Sequence, residues 1–123
     1  MSEQVGKRTW VFPDGEMPQP GEFPVKGHES IIILNPSDEP AICRLNIYFT
    51  DREPYSDIAV RVEPRRVRCI RTNNLDDMCG YAIQPEEQYA MKWDCSVAVV
   101  MQYGRLDTTD QPMHFYINQG FSE

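Results

Sequence analysis

The chain reads as all-β: an antiparallel β-sandwich, jelly-roll-like, of about eight strands. Three observations predict it. Short segments alternate apolar and polar residues with period two or are rich in β-branched residues. Turns built on Pro, Asp, Asn and Gly separate them. No stretch shows a convincing helical period of 3.6. Many short strands at close spacing with proline-rich turns are the pattern of a sandwich.

The elements follow in order. Residues 7–12 form a short strand around Trp10, expected to end at Pro13-Asp14-Gly15. The stretch 13–24 carries four prolines, which remove backbone donors and suit a surface loop. Residues 28–35 contain Ile31-Ile32-Ile33-Leu34, read as a run buried on both faces, and Pro36 to Pro40 turns the chain. Residues 41–50 alternate cleanly, with Ala41, Cys43, Leu45, Ile47 and Phe49 inward and Arg44, Asn46 and Tyr48 outward.

Residues 58–71 pose the main question. Five of the twelve basic residues fall within the eleven positions 61–71 of a chain whose net charge is −7. Alternation on both sides of Glu63-Pro64-Arg65-Arg66 predicts a hairpin, Pro suiting the second position of a type I turn. Val62 opposite Val67 then places Val60 against Cys69 and Ile58 against Arg71 inside, and Arg61 against Arg68 outside. Like charges directly opposed destabilise a sheet, so an acidic neighbour is implied: carboxylates of a nearby strand, solvent, a ligand or a partner subunit.

Residues 73–77 are a polar loop. Residues 88–94 alternate Tyr89, Met91 and Trp93 against Ala90 and Lys92; Pro85 could open a helix there, but strand is preferred. Residues 96–103 are strongly β-branched and read as a central strand, and 113–118 as the last.

At 123 residues the chain is one domain, 1–123, with 41% hydrophobic and 25% charged residues. The acidic balance argues against nucleic-acid binding, which needs a broadly basic face. The longest apolar run, 97–101, is far below the roughly 20 residues of a membrane helix. Residues 1–8 are polar and show no secretory signal. The expectation is a cytoplasmic protein with reduced thiols and no membrane insertion. Cys43, Cys69, Cys79 and Cys95 form no Cys-x-x-Cys, and with only His28 and His114 available neither a zinc site nor any cofactor is expected. Cys43 and Cys69 read as small inward residues; Cys79, beside Gly80, is expected to be the most reactive.

Enzyme signatures are scarce: no Gly-rich phosphate loop, no Gly-x-Ser-x-Gly and no His-Glu-x-x-His. His28 and Glu29 are adjacent and point to opposite faces of a strand, poor geometry for a coupled acid and base. Asp107, Asp110 and Glu29 could bind a cation, but exposed turn carboxylates are commoner. No catalytic residues are assigned.

Trp10, His28-Glu29 followed by Ile33-Leu34-Asn35, Asp38-Glu39, Ile47-Tyr48, and Asp51-Arg52-Glu53-Pro54 resemble the Anabaena sensory rhodopsin transducer family. So do Arg65-Arg66 with Arg68, Arg71, Asn73 and Leu75, and Gln102 with Arg105-Leu106-Asp107. The likeness runs from about Gly6 to Asp107 in consistent order and fades beyond it. It implies a soluble β-sandwich assembled as a homotetramer, a receptor protein as candidate partner, and a small-molecule ligand with sugars or related metabolites as candidates. Alongside it, Trp10, His28, Glu29, Asn35, Arg71, Arg105 and Asp107 lie near predicted strand ends, where a sandwich can present a polar cleft. An indole can stack on a sugar ring, the carboxylates and amide can exchange hydroxyl hydrogen bonds, and the two guanidinia suit an anionic group. Each also has a structural reading: core for Trp10, a turn for Asn35, a local ion pair for Arg105 and Asp107. The reading is a non-enzymatic small-molecule-binding or transducer module acting as a homo-oligomer, the alternative a protein–protein adaptor without a ligand of its own.

Overall fold

The computed structural model describes residues 4–21, 26–108, 114–118 and 120–123, and every described element is a strand. They are β1 (Lys7–Glu16), β2 (His28–Asn35), β3 (Ala41–Phe49), β4 (Tyr55–Val62), β5 (Arg66–Arg71), β6 (Gln88–Asp107), β7 (His114–Asn118) and β8 (Phe121–Ser122). All their pairings are antiparallel. One sheet runs β4-β3-β6-β1-β8. The other places β2 between β5 and the C-terminal part of β6, with β7 on that strand's far side.

β6 belongs to both sheets. Its first part pairs with β1 and β3, its last with β2 and β7. Its inward parity never breaks: Tyr89, Met91, Trp93, Cys95, Val99, Met101 and Tyr103 are all buried, with half-buried Val97 in phase. The two segments expected at 88–94 and 96–103 are therefore one strand bent where it changes sheets, the usual way a sandwich turns a corner.

Alternation was sound in β3, where Ala41, Cys43, Leu45 and Ile47 are buried and Arg44 and Tyr48 exposed, and in β4, where Ile58, Val60 and Val62 are buried. Four expectations are corrected. Pro13-Asp14-Gly15 does not end β1 but makes an irregularity in its register with β6, after which Gly15 pairs with Tyr89. A Cβ at Gly15 would stand 2.7 Å from the Tyr89 ring, so the missing side chain is what lets that ring cross β1. The run Ile31–Leu34 is buried on one face only, since Ile32 and Leu34 reach the outer surface. The basic segment is not a hairpin: β4 pairs with β3 and β5 with β2, so Pro64-Arg65 carries the chain from one sheet to the other. Arg65 takes a left-handed φ of 54° there and donates its N–H to the Ser37 carbonyl at 3.2 Å. The crossover also reverses the parity of β5, so Ile70 is buried and Cys69 is exposed. The short β8 was not anticipated.

The open side between the edge strands β4 and β5 is spanned by side chains. Arg68 donates to the Arg61 carbonyl at 2.8 Å, and the loop after β5 lays Asp77 against Arg68 at 3.4 Å and Cys79 Sγ against the Ala59 carbonyl at 3.4 Å. The acidic neighbours that the basic stripe called for are local: Glu63 on Arg61 at 2.6 Å, Asp38 on Arg65 at 2.6 Å, and Asp77. No helix of the described residues is long and apolar enough to cross a membrane.

Candidate functional site

β2 begins beside the end of β6, with His28 opposite Leu106 and Glu29 opposite Arg105. Glu29 points inward and is fully buried. Burying a carboxylate is expensive unless donors replace the lost water, and four do so. Tyr89 donates to Oε1 at 2.5 Å and Thr72 at 3.1 Å. The Tyr103 hydroxyl and the Glu16 backbone N–H, the latter at 3.0 Å, donate to Oε2. The Thr72 N–H also donates to the Glu29 carbonyl at 3.3 Å, tying the end of β5 to the same point.

The two phenols stand fourteen positions apart on β6, about 46 Å if the strand ran straight. Both reach one carboxylate because the bend folds the two arms of β6 into facing sheets. Burial first, then the Glu29 charge, push both phenols well above the ordinary tyrosine value; for Tyr103 the Arg105 guanidinium opposes the rise. Each therefore stays a donor over the whole neutral range.

The anticipated site residues divide into groups. Glu29, Arg105 and Asp107 lie on the inner face at one mouth of the sandwich, the last two half-buried. His28 starts the same strand but on the opposite parity, its Nδ1 2.9 Å from the Lys26 carbonyl. Arg71 pairs with Ser30 near that end and is exposed, not inward opposite Ile58 as hairpin parity required; its backbone N–H donates to Asp77 at 3.1 Å. Trp10 lies mid-strand in the core, stacked on Phe12 at 6.4 Å with its N–H on the carbonyls of Lys7 and Val99. Asn35 is at the other end of β2, buried in a turn: its amide donates to the carbonyls of Glu39, Val62 and Glu63 and accepts from Ser37. Asp110 lies outside the described residues.

Tyr89, Tyr103 and Thr72 were missed. A signal for the tyrosines existed: both sit on the inward parity of a core strand, and a buried phenol needs a partner.

The molecule is thus a two-sheet antiparallel sandwich domain pinned at one mouth by a buried carboxylate. The family model described as Anabaena sensory rhodopsin transducer matches residues 5–121, and the chain belongs to that family. Among solved structures it is similar to the one titled Crystal Structure of Thermotoga maritima 1070, at 30% identity and a TM-score of 0.87 over 98% of this chain and 97% of that one. It is also similar to the one titled Anabaena sensory rhodopsin transducer, at 32% identity and a TM-score of 0.72 over 87% of this chain and 95% of that one. No curated protein matches.

Proposed function

We propose that the protein is a non-enzymatic, small-molecule-responsive signal-transducing module that works as a homo-oligomer. The observation that carries the ligand reading is the mouth around Glu29. A carboxylate with its acceptors filled by Tyr89, Tyr103, Thr72 and Glu16 is too enclosed to touch a ligand, but it fixes the strand ends that carry Arg105 and Asp107. Those two half-buried side chains at a strand terminus suit recognition of a polar metabolite, Arg105 binding a carboxylate through its planar fork and Asp107 accepting from hydroxyls. An acidic sugar fits both. Glucuronate and galacturonate are the first probes in a thermal-shift screen, since a ligand of the native state raises apparent stability. Arg105→Ala is expected to abolish the shift while the unliganded melting temperature moves by less than about 2 °C. An undiminished shift in that variant refutes the site.

The oligomer reading rests on the outer face of the second sheet. Ile32 and Leu34 of β2, Val100 of β6, and Phe115 and Ile117 of β7 are all exposed. Phe115 lies over Gly104, which leaves room for its ring. A broad apolar face of this kind is the composition of an interface core, and a second copy is its proposed occupant. Light scattering that gives a clean monomer mass of 14.3 kDa at micromolar concentration refutes this. A receptor is the alternative occupant, favoured if the isolated protein stays monomeric.

A further inference from the structure

The open side of the sandwich holds a second polar feature, at the other end of β2 from Glu29. Arg61 and Glu63, from β4 and the residue after it, and Arg66, Val67 and Arg68 of β5 line a cleft of about 460 Å³. Arg66 pairs with Asn35 while Arg71 pairs with Ser30, so the cleft lies roughly 20 Å along the strand from the Glu29 mouth. Three arginines and one glutamate line this space, and the Asp77 carboxylate reaches Arg68 from the loop after β5. Arg68 is anchored by the Arg61 carbonyl and Asp77, and so presents its charge from a fixed position. Arg66 donates to the carbonyls of Pro64 at 3.5 Å and Arg65 at 3.1 Å, and among the described residues it meets no carboxylate within ion-pair distance. Glu63 binds the Arg61 fork at 2.6 and 3.5 Å through its two oxygens. Arg61 holds the Glu63 carboxyl below the ordinary range, with Arg66 adding to the effect.

We infer that this cleft is an anion site for a phosphoryl group, in which Arg61, Arg66 and Arg68 bind the phosphate oxygens and Glu63 is a tethered competitor occupying the place of the anion. A dianion with three acceptor oxygens offers these planar forks one more acceptor and one more charge than a single carboxylate does. The Arg61–Glu63 pair is exposed on both sides and screened by solvent, so it is displaced at little cost. Val67, 63% exposed at the lip beside Leu34, offers an apolar contact to whatever carries the phosphate. Phosphate itself and an organic phosphate ester share the chemistry. The ester alone uses the Val67 lip.

The test follows the arginine Nε–Hε signals of the intact protein by NMR at pH 7.5. Sodium phosphate, phenyl phosphate and sodium chloride are titrated at matched ionic strength. Saturable shifts of Arg61 and Arg66 with both phosphates but not with chloride are expected. Arg66→Gln weakens binding by about tenfold, the loss of one charge-assisted contact. Glu63→Gln tightens it several-fold by removing the competitor. Phenyl phosphate tighter than phosphate assigns an ester, and equal affinity assigns the free ion; both support the site. Identical responses to phosphate and chloride overturn it, as does a phosphate affinity untouched by Arg66→Gln. Phosphate binding that disappears in Arg105→Ala and survives in Arg66→Gln also overturns it and assigns the anion to the Glu29 mouth. All these side chains except half-buried Arg105 and Arg68 are exposed, and the variants replace only exposed positions or the mouth residue, so folding is preserved.

Discussion

β2 carries a buried polar residue near each end, Glu29 and Asn35, and the two are satisfied in opposite ways. Asn35 takes its partners from the adjoining turn and the end of β4, and most of them are backbone groups. Its work is to fix where β2 stops and to tie that end to the start of β3 and the end of β4 in the other sheet. Glu29 draws on β1, on Thr72 just past β5, and on both arms of β6, and three of its four partners are side chains. A neutral amide bonded to local backbone is ordinary turn architecture. A carboxylate brought into the core and surrounded by side chains from distant segments is costly to build and persists only when every donor is aligned. The two ends of one strand therefore separate a structural polar residue from one that organises a mouth.

The largest effect expected is at Glu29. Glu29→Ala orphans two phenols, a threonine hydroxyl and a backbone N–H, and should cost about 3–5 kcal/mol. Should that variant fail to fold, Glu29→Gln tests the same point more gently: its amide turns a donor toward donors, for about 2 kcal/mol. Urea midpoints at unchanged m-value give both figures. A loss under 1 kcal/mol in either variant means that water satisfies the network, and the contrast between the two ends fails.

Asn35→Ala comes next, at about 2 kcal/mol. It loses more hydrogen bonds, yet the turn lies near solvent and water can take over some of the backbone carbonyls. The same urea series checks it. A cost equal to that of Glu29→Ala would show that the number of bonds matters more than the charge they surround.

Much of this was legible from alternation and turn chemistry. β2 has the anticipated bounds, and β3 and β4 show the anticipated inward residues, because period two along a strand is a local property. The family likeness, too, was carried by residues spread from Trp10 to Asp107. What failed depended on which sheet a strand joins. Glu63-Pro64-Arg65-Arg66 has the composition of a hairpin turn and of a corner alike, and only the longer-range match of β5 to β2 decides between them. That decision set the parity of Cys69 and Arg71. The bend of β6 was hidden because its apolar pattern runs through the corner without interruption. Of the anticipated site, Glu29, Arg105 and Asp107 share one mouth because β2 and β6 pair in register. Trp10 and Asn35 do not join them, since aromatic and amide side chains near strand ends serve cores and turns as readily as clefts.

The smallest effect sharpens the Glu29 end alone. Tyr103→Phe removes one donor from the carboxylate and should cost about 1 kcal/mol at neutral pH. Its signature is the alkaline limb. The Tyr103 phenol titrates above its ordinary value when folded and near about 10 when unfolded. The unfolded chain thus releases that proton first as pH rises. The stabilisation is whole below about pH 10 and declines above it, by up to about 1.4 kcal/mol for each pH step while the folded phenol keeps its proton. In Tyr103→Phe that contribution is absent. The stability curves of the parent and the variant should run parallel below about pH 9 and converge between about pH 10 and 11, while lysine and cysteine titrations act on both alike. Tyr89→Phe should behave in the same way, because burial and the Glu29 charge raise the Tyr89 phenol too. Measured by urea unfolding across that range, curves that stay parallel to pH 11 would show that neither burial nor the Glu29 charge raises these phenols, and the mouth would lose the donors that hold it together.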